Sequence, residues 1–212
     1  MIGAIVVDIQ ADFTQLMNGS LAVPGTYLDY PHKVSRAVDQ LKKWGVPLWA
    51  GQDWHPPDHI SFYTNHPGKN VFDTIPLHGK DQILWPPHCV QGTIGAELLI
   101  DPFPFEAVIR KGQDSRFDSY SCFQDDGEQE TELDGLLRNH GIKKLIIFGI
   151  ATDYCVHWTA LDGLARGYEI VVIKSLCRGV APETSVQALK EIESKGAVIF
   201  ENLNTLEAGK NE

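Results

Sequence analysis

The chain has 212 residues, a length that suits one domain with a sizeable core, and no linker-like composition divides it. Its formal net charge of -10 disfavours nucleic acid and anionic membrane surfaces as partners. No stretch reaches transmembrane length, MIGAIVVD lacks the basic region of a signal peptide, and four cysteines without a CxxC pair read as free thiols, so the expected setting is the cytoplasm.

In chain order, residues 2–8 read as a buried strand that ends on Asp8, and residues 14–30 as a loop. Val34, Val38 and Leu41 mark one face of a helix that follows Pro31 and stops at Gly45. Val46 to Ala50 form a second strand, and GQDWHPPDHISFYTNHPG follows it. Residues 68–91 are rich in Pro, Gly and polar side chains and read as an ordered insertion, with no helix before residues 94–99. The unit expected is therefore a single domain over 1–212 with a loop-rich insertion at about 52–92. Ala107 to Lys111 give a third strand, and Leu133, Leu136 and Leu137 the inward face of a helix closed by Gly141.

Leu145 to Phe148 are the most apolar strand, and the helix behind it carries Val156, Ala160 and Leu164 up to Gly167. Thr152 and Asp153 are suitable N-caps, which puts Cys155 in the first turn, where free N–H groups and the helix dipole favour a thiolate. A strand over 168–174, a helix from Pro182 with Val186, Leu189 and Ile192 inward, a strand over 197–200 and a loose tail over 202–212 complete the chain. Strands alternating with helices predict an α/β fold of three layers, a mostly parallel central sheet with helices on both faces.

Each candidate side chain has a plain structural explanation when taken alone. Cys155 could be a small buried hydrophobe, Asp8 a turn cap, Lys111 a solvated cation, Trp85 a cover for the core, and DxH at Asp53 and His55 an incidental polar loop. Together they carry more weight. In a parallel sheet, ligands bind outside the carboxyl ends of the strands, and Asp8, Asp53, Lys111 and Cys155 all fall at or just past such ends. Asp53 and His55 point the same way if extended, and His59, His66, His78 and His88 can each supply a further metal ligand. DIQADF after the first strand has no glycine, which sets a nucleotide-binding turn aside.

VVDIQADF, DWHPPDHISF, WPPHCVQGTIGAEL, the Lys111 strand end, DSYSCF and GIATDYCVHWTALDGLARGYEI are similar to the motifs of nicotinamidases, within the isochorismatase-like cysteine hydrolases. The likeness runs over about residues 1–200. It implies an isochorismatase-like, Rossmann-like fold and metal-dependent deamidation of nicotinamide, in NAD salvage, to nicotinate and ammonia through a thioester. It also implies Asp8, Lys111 and Cys155 as a catalytic triad, and the N–H groups of Ala151 and Cys155 as an oxyanion hole behind a cis Ile150–Ala151 peptide. Asp53, His55 and His88 are implied as metal ligands, with His59 as a possible fourth, and Phe13, Trp85, Tyr120 and Tyr154 as the ring enclosure. One divalent ion is implied, zinc first, with manganese or iron as alternatives; a homo-oligomer is compatible. Cys122 stands where many relatives have glycine, a change expected at the pocket wall, and residues 68–84 are longer than in compact bacterial forms. The alternatives are a related amidase acting on a carbamoyl or ureido amide, and a non-catalytic metal- or ligand-binding module.

Overall fold

The computed structural model describes residues 1–205. Its elements, in order, are β1 (Ile2–Val7), α1 (Asp29–Lys43), β2 (Leu48–Asp53), β3 (Thr74–Leu77), β4 (Lys80–Ile83), β5 (Ala107–Lys111), α2 (Leu133–Asn139), β6 (Lys144–Gly149), α3 (Cys155–Ala165), β7 (Glu169–Ile173), α4 (Pro182–Ser194) and β8 (Val198–Phe200). Six strands form one sheet in the order β5-β2-β1-β6-β7-β8, and every pairing in it is parallel. Parallel strands need covered faces, and β1, β2 and β6 are accordingly buried along almost their whole length.

Strand order explains where a site can lie. From β1 the chain moves outward through β2 to β5, and from β6 it moves the other way through β7 to β8. Right-handed crossovers then put α1 on one face and α3 and α4 on the other, giving three layers. The order reverses between β1 and β6, and a crevice opens at such a switch point beyond the strand ends. Asp8 follows β1, and Cys155 starts the helix after β6, so both border that crevice.

Several local expectations differ from the structure. β2 begins and ends later than the apolar run, so that Gly51, Gln52 and Asp53 are strand residues paired with β5, Asp53 directly opposite Lys111. Residues 94–99 hold only a short 3-10 turn, Ile94–Ala96, because the glycine at 95 and the lack of a longer apolar period give no α-helix. The insertion contains an antiparallel hairpin, β3–β4, closed by His78 and Gly79 with φ of 50° and 79°, a two-residue turn whose twist suits paired strands. Thr152 and Asp153 do not cap α3. Tyr154 holds the N-cap place without a side-chain bond, and the Asp153 carboxylate accepts N–H bonds from Val180 and Ala181 before α4 instead. In α4 Ile192 is buried and Leu189 packs against the core, while Val186 is exposed at 51% and Ala188 takes the inward place beside them. Leu203 packs into the core, which ties down the first part of the expected tail; residues 206–212 lie outside the described residues.

Candidate active site

Lys111 is the centre of the site. It ends β5, its side chain is entirely buried, and its Nζ meets four groups. Asp8 Oδ2 lies at 3.0 Å, Asp53 Oδ1 forms a close ion pair, the Ser119 carbonyl accepts at 3.1 Å, and Cys155 Sγ lies at 3.4 Å. A solvated lysine is thereby excluded. Burying an ammonium is costly unless anions surround it, and the two carboxylates supply that: burial alone would lower the Lys111 pKa, yet Asp53 and Asp8 outweigh it and hold the group well above its ordinary value.

Asp8 leaves β1 with φ at 51°, a left-handed conformation that side chains seldom adopt and that turns its carboxylate across the strand ends. It contacts Lys111 as an ion pair, while neither carboxylate oxygen receives a directed hydrogen bond. Burial is the largest influence and pushes Asp8 up to about 6, against the pull of Lys111. Gly51 makes room for this arrangement, since a Cβ there would stand 2.7 Å from Cys122 Sγ and 2.9 Å from Asp8 Oδ1. Cys122 therefore packs behind Asp8, fully buried, and is absent from the residues that line the pocket in front of Cys155. The expected change of pocket wall is a change of backing instead.

Cys155 opens α3 and is 6% exposed. The helix-dipole reasoning predicts a ready thiolate, but burial raises the thiol pKa well above its ordinary value, with Asp8 and Asp53 adding to burial and Lys111 opposing it. Burial and the two neighbouring anions thus favour the protonated sulfur, against the pull of Lys111 and of the helix N-terminus. The unprotonated carboxylate beside it is then a base within reach. The Ile150–Ala151 peptide is cis, and the N–H groups of Ala151 and Cys155 donate to no acceptor among the described residues. Both are free to meet a developing negative charge.

A second cluster adjoins the first through Asp53. Its Oδ2 lies 3.5 Å from His55 Nε2 and 4.0 Å from His88 Nε2. The three donor atoms all fall within 4.8 Å of one another, and all three residues are buried. Each ring has its other nitrogen engaged by a backbone carbonyl, His55 Nδ1 by Gly112 at 2.9 Å and His88 Nδ1 by Pro86 at 2.8 Å, which leaves both Nε2 lone pairs facing the carboxylate. Burial and then His55 push His88 down to about 4, the neutral state a ligand needs. Burial lowers His55 too, but Asp53 outweighs it. For Asp53 burial acts upward, and Lys111 with His55 reverses it, so the carboxyl stays well below its ordinary range. One carboxylate and two imidazoles with fixed orientation fit a divalent metal with open positions. Asp8, Asp53 and Cys155 also present donor atoms within 4.8 Å, but the Lys111 ammonium already serves all three.

His59 is not brought into that cluster. Its Nδ1 meets Ser61 Oγ at 2.8 Å and its Nε2 the Phe117 carbonyl at 3.0 Å, and the ring lies tilted against His55 with centroids 4.3 Å apart. His66 bonds the Ile60 carbonyl and His78 packs on Phe117, so neither joins it.

Phe13, Trp85, Tyr120 and Tyr154 line one pocket with Asp53, His55, His88, Ala151 and Cys155, an atom-free space of about 430 Å³. The Trp85 and Tyr154 rings meet edge to face at 5.1 Å, and Trp85 Nε1 donates to the Tyr120 hydroxyl at 3.1 Å. Leu21, Val23 and Val180 also line it with nothing in their local sequence to mark them, as do Asp118 and Ser119, which open the DSYSCF motif. Gln10 and Gly112 were legible only in part. Gln10 sits in the DIQADF motif and clamps the Asp53 backbone from both sides, at 2.8 Å to its N–H and 2.8 Å to its carbonyl. Gly112 follows Lys111 with φ at 67°, and any Cβ there would be driven into the His55 ring whose Nδ1 its carbonyl holds.

The isochorismatase domain family matches residues 3–202. An Escherichia coli nicotinamidase is 41% identical over 203 residues, covering 92% of this chain and 92% of its own. A solved nicotinamidase and pyrazinamidase from Acinetobacter baumanii superposes with a TM-score of 0.84 at 38% identity, over 94% of this chain and 95% of its own. A Pyrococcus horikoshii pyrazinamidase solved in complex with zinc gives 0.78 at 36% identity, over 94% and 98%.

Proposed function

The chain belongs to the isochorismatase family, in its nicotinamidase branch, and on that premise we propose that it is a metal-dependent cysteine amidohydrolase converting nicotinamide to nicotinate and ammonia. The observation that carries the reading is the meeting, across one aromatic-walled pocket, of the Cys155 thiol, the Lys111-paired Asp8 carboxylate and a carboxylate–imidazole set aimed at a common point. A planar aromatic amide fits between them, its ring among Phe13, Trp85, Tyr120 and Tyr154 and its carboxamide over Cys155.

Asp53, His55 and His88 would hold the metal, and zinc suits the set because the similar pyrazinamidase was solved with it. When bound, the ion supplies a Lewis-acidic anchor for the ring nitrogen and fixes the amide in place. The remaining chemistry belongs to the chain. Asp8 takes the Cys155 proton as sulfur attacks the amide carbon, and Lys111 stabilises the thiolate as it forms while holding Asp8 in position. The tetrahedral oxyanion meets the N–H groups of Ala151 and Cys155, each such donor stabilising the transition state by about 3 kcal/mol. Collapse expels ammonia, which takes the proton from Asp8, and leaves a thioester. Asp8 then removes a proton from water, the hydroxide adds to the thioester carbon, nicotinate departs, and the proton returns to sulfur.

The test is ammonia release from nicotinamide by the zinc-loaded protein. Turnover that disappears on chelation and returns with the ion supports the reading, and absence of ammonia release in every metal state refutes it.

A further inference from the structure

The hairpin β3–β4 takes no part in the chemistry above, yet it makes one buried polar connection to it. Along both strands the side chains are exposed or half-buried except for Gln82, which is 7% exposed. A buried amide needs partners, and its Nε2 donates to Asp118 Oδ2 at 2.7 Å and to the Ile83 carbonyl at 2.7 Å. Asp118, also buried, accepts the Ser119 N–H on Oδ1 at 2.9 Å, and the Ser119 carbonyl accepts Lys111 Nζ at 3.1 Å. Three consecutive links thus lead from the hairpin to the ammonium. Asp118 and Ser119 line the ring pocket, next to Tyr120.

The other contacts between the hairpin and this loop are weaker. Lys80 reaches Asp126 at 3.3 Å with its side chain 65% exposed, and an exposed pair contributes little. His78 packs on Phe117 at 4.7 Å from outside, and its Nε2 meets the Arg116 carbonyl at 3.3 Å where water can compete. The bond to a buried carboxylate is the one able to hold the loop in register.

We propose that Gln82 is a positioning residue. Through Asp118 it holds the Ser119 carbonyl that orients Lys111 and the Tyr120 ring that walls the substrate, so the hairpin latches the active site. The role of the latch in turnover rests on the nicotinamidase reading, but the latch itself can be read without substrate.

The test compares Gln82→Leu, Gln82→Glu, Asp118→Asn and the exchanged pair Gln82→Glu with Asp118→Asn, all zinc-loaded. Loss of one charge-assisted bond should lower kcat/KM for nicotinamide about tenfold in Gln82→Leu, with KM raised more than kcat is lowered, and more in Gln82→Glu, where two carboxylates face each other. The exchanged pair restores a donor between the two side chains. It should be about fivefold more active than Gln82→Glu alone despite its second substitution, though below the parent because the bond to the Ile83 carbonyl stays lost. Amide hydrogen exchange over residues 117–121 should quicken in Gln82→Leu and Gln82→Glu and slow again in the pair. Additive losses, or single variants that match the parent in both measurements, overturn the proposal. If the parent releases no ammonia from nicotinamide, the functional reading falls while the exchange pattern still decides the latch.

Discussion

The two halves of the pocket are built differently. Asp8, Asp53, Lys111 and Cys155 stand at the ends of β1, β2 and β5 and the start of α3, elements held by sheet register and a shared core. His88, Trp85 and Tyr120 stand on irregular backbone, their rings located by ring contacts and one side-chain hydrogen bond each: a carbonyl for His88, and for Trp85 and Tyr120 the indole N–H to hydroxyl bond they share, with Tyr154 against both. The first half gathers charge and a proton in a place that cannot shift; the second shapes and orients what enters. Damage to Asp8, Lys111 or Cys155 should therefore appear in kcat, and damage to the loop-borne half, or to Asp53, which joins the two halves, in KM or metal affinity.

Removing the sulfur is the strongest challenge to that division. Cys155→Ala should lower turnover by about 10⁴-fold or more while zinc and nicotinate still bind, as measured by calorimetry; retained ammonia release would break the comparison outright. Asp8→Asn, which keeps shape and removes the base, should cost about 10³-fold in kcat with KM little changed.

Gly112→Ala acts on the other half from beneath. Its Cβ would displace the His55 ring and withdraw the carbonyl that orients it, so zinc affinity should fall about 10- to 100-fold in a competition titration. Equal affinity would show that the ring is held by something else. The pH profile sharpens the first half: the base must be ionised in free enzyme, and burial holds Asp8 at about 6, so kcat/KM should be flat above that value and fall about tenfold per unit below it. An acid limb near the ordinary carboxyl value would mean that Asp8 is not the base. The smallest effect is expected for Trp85→Leu, about fivefold in KM with kcat nearly kept, since edge-to-face ring contacts with Tyr154 and Phe72 and one neutral hydrogen bond are lost.

Much of this was legible beforehand, and unevenly. Buried strands announce themselves by apolar runs, and parallel order follows from alternation with helices, so β1, β6 and their carboxyl-end residues Asp8 and Cys155 could be placed from local pattern. The hairpin could not: TIPLHGKDQI carries a proline and three consecutive polar residues, and the only side chain it buries is a glutamine whose partner lies 36 positions away. Asp153 looked like the cap of the nearest helix and in fact serves the N-terminus of α4, nearly thirty residues further on.

By itself, then, the sequence determined the strand and helix pattern and put an acid, a lysine and a cysteine at strand ends, because periodicity and the switch-point rule act over a few residues at a time. Tertiary structure decided which imidazoles share a point, since the carbonyl that orients His55 is brought from Gly112 just past β5, while His88, oriented locally by Pro86, reaches Asp53 only through the fold of its loop. It also set the surroundings of Cys155, because burial and two carboxylates brought from β1 and β2 push its thiol pKa up where its place at a helix N-terminus alone points down. Desolvation and charge add over everything within a few ångströms, and that neighbourhood exists only once the chain has folded.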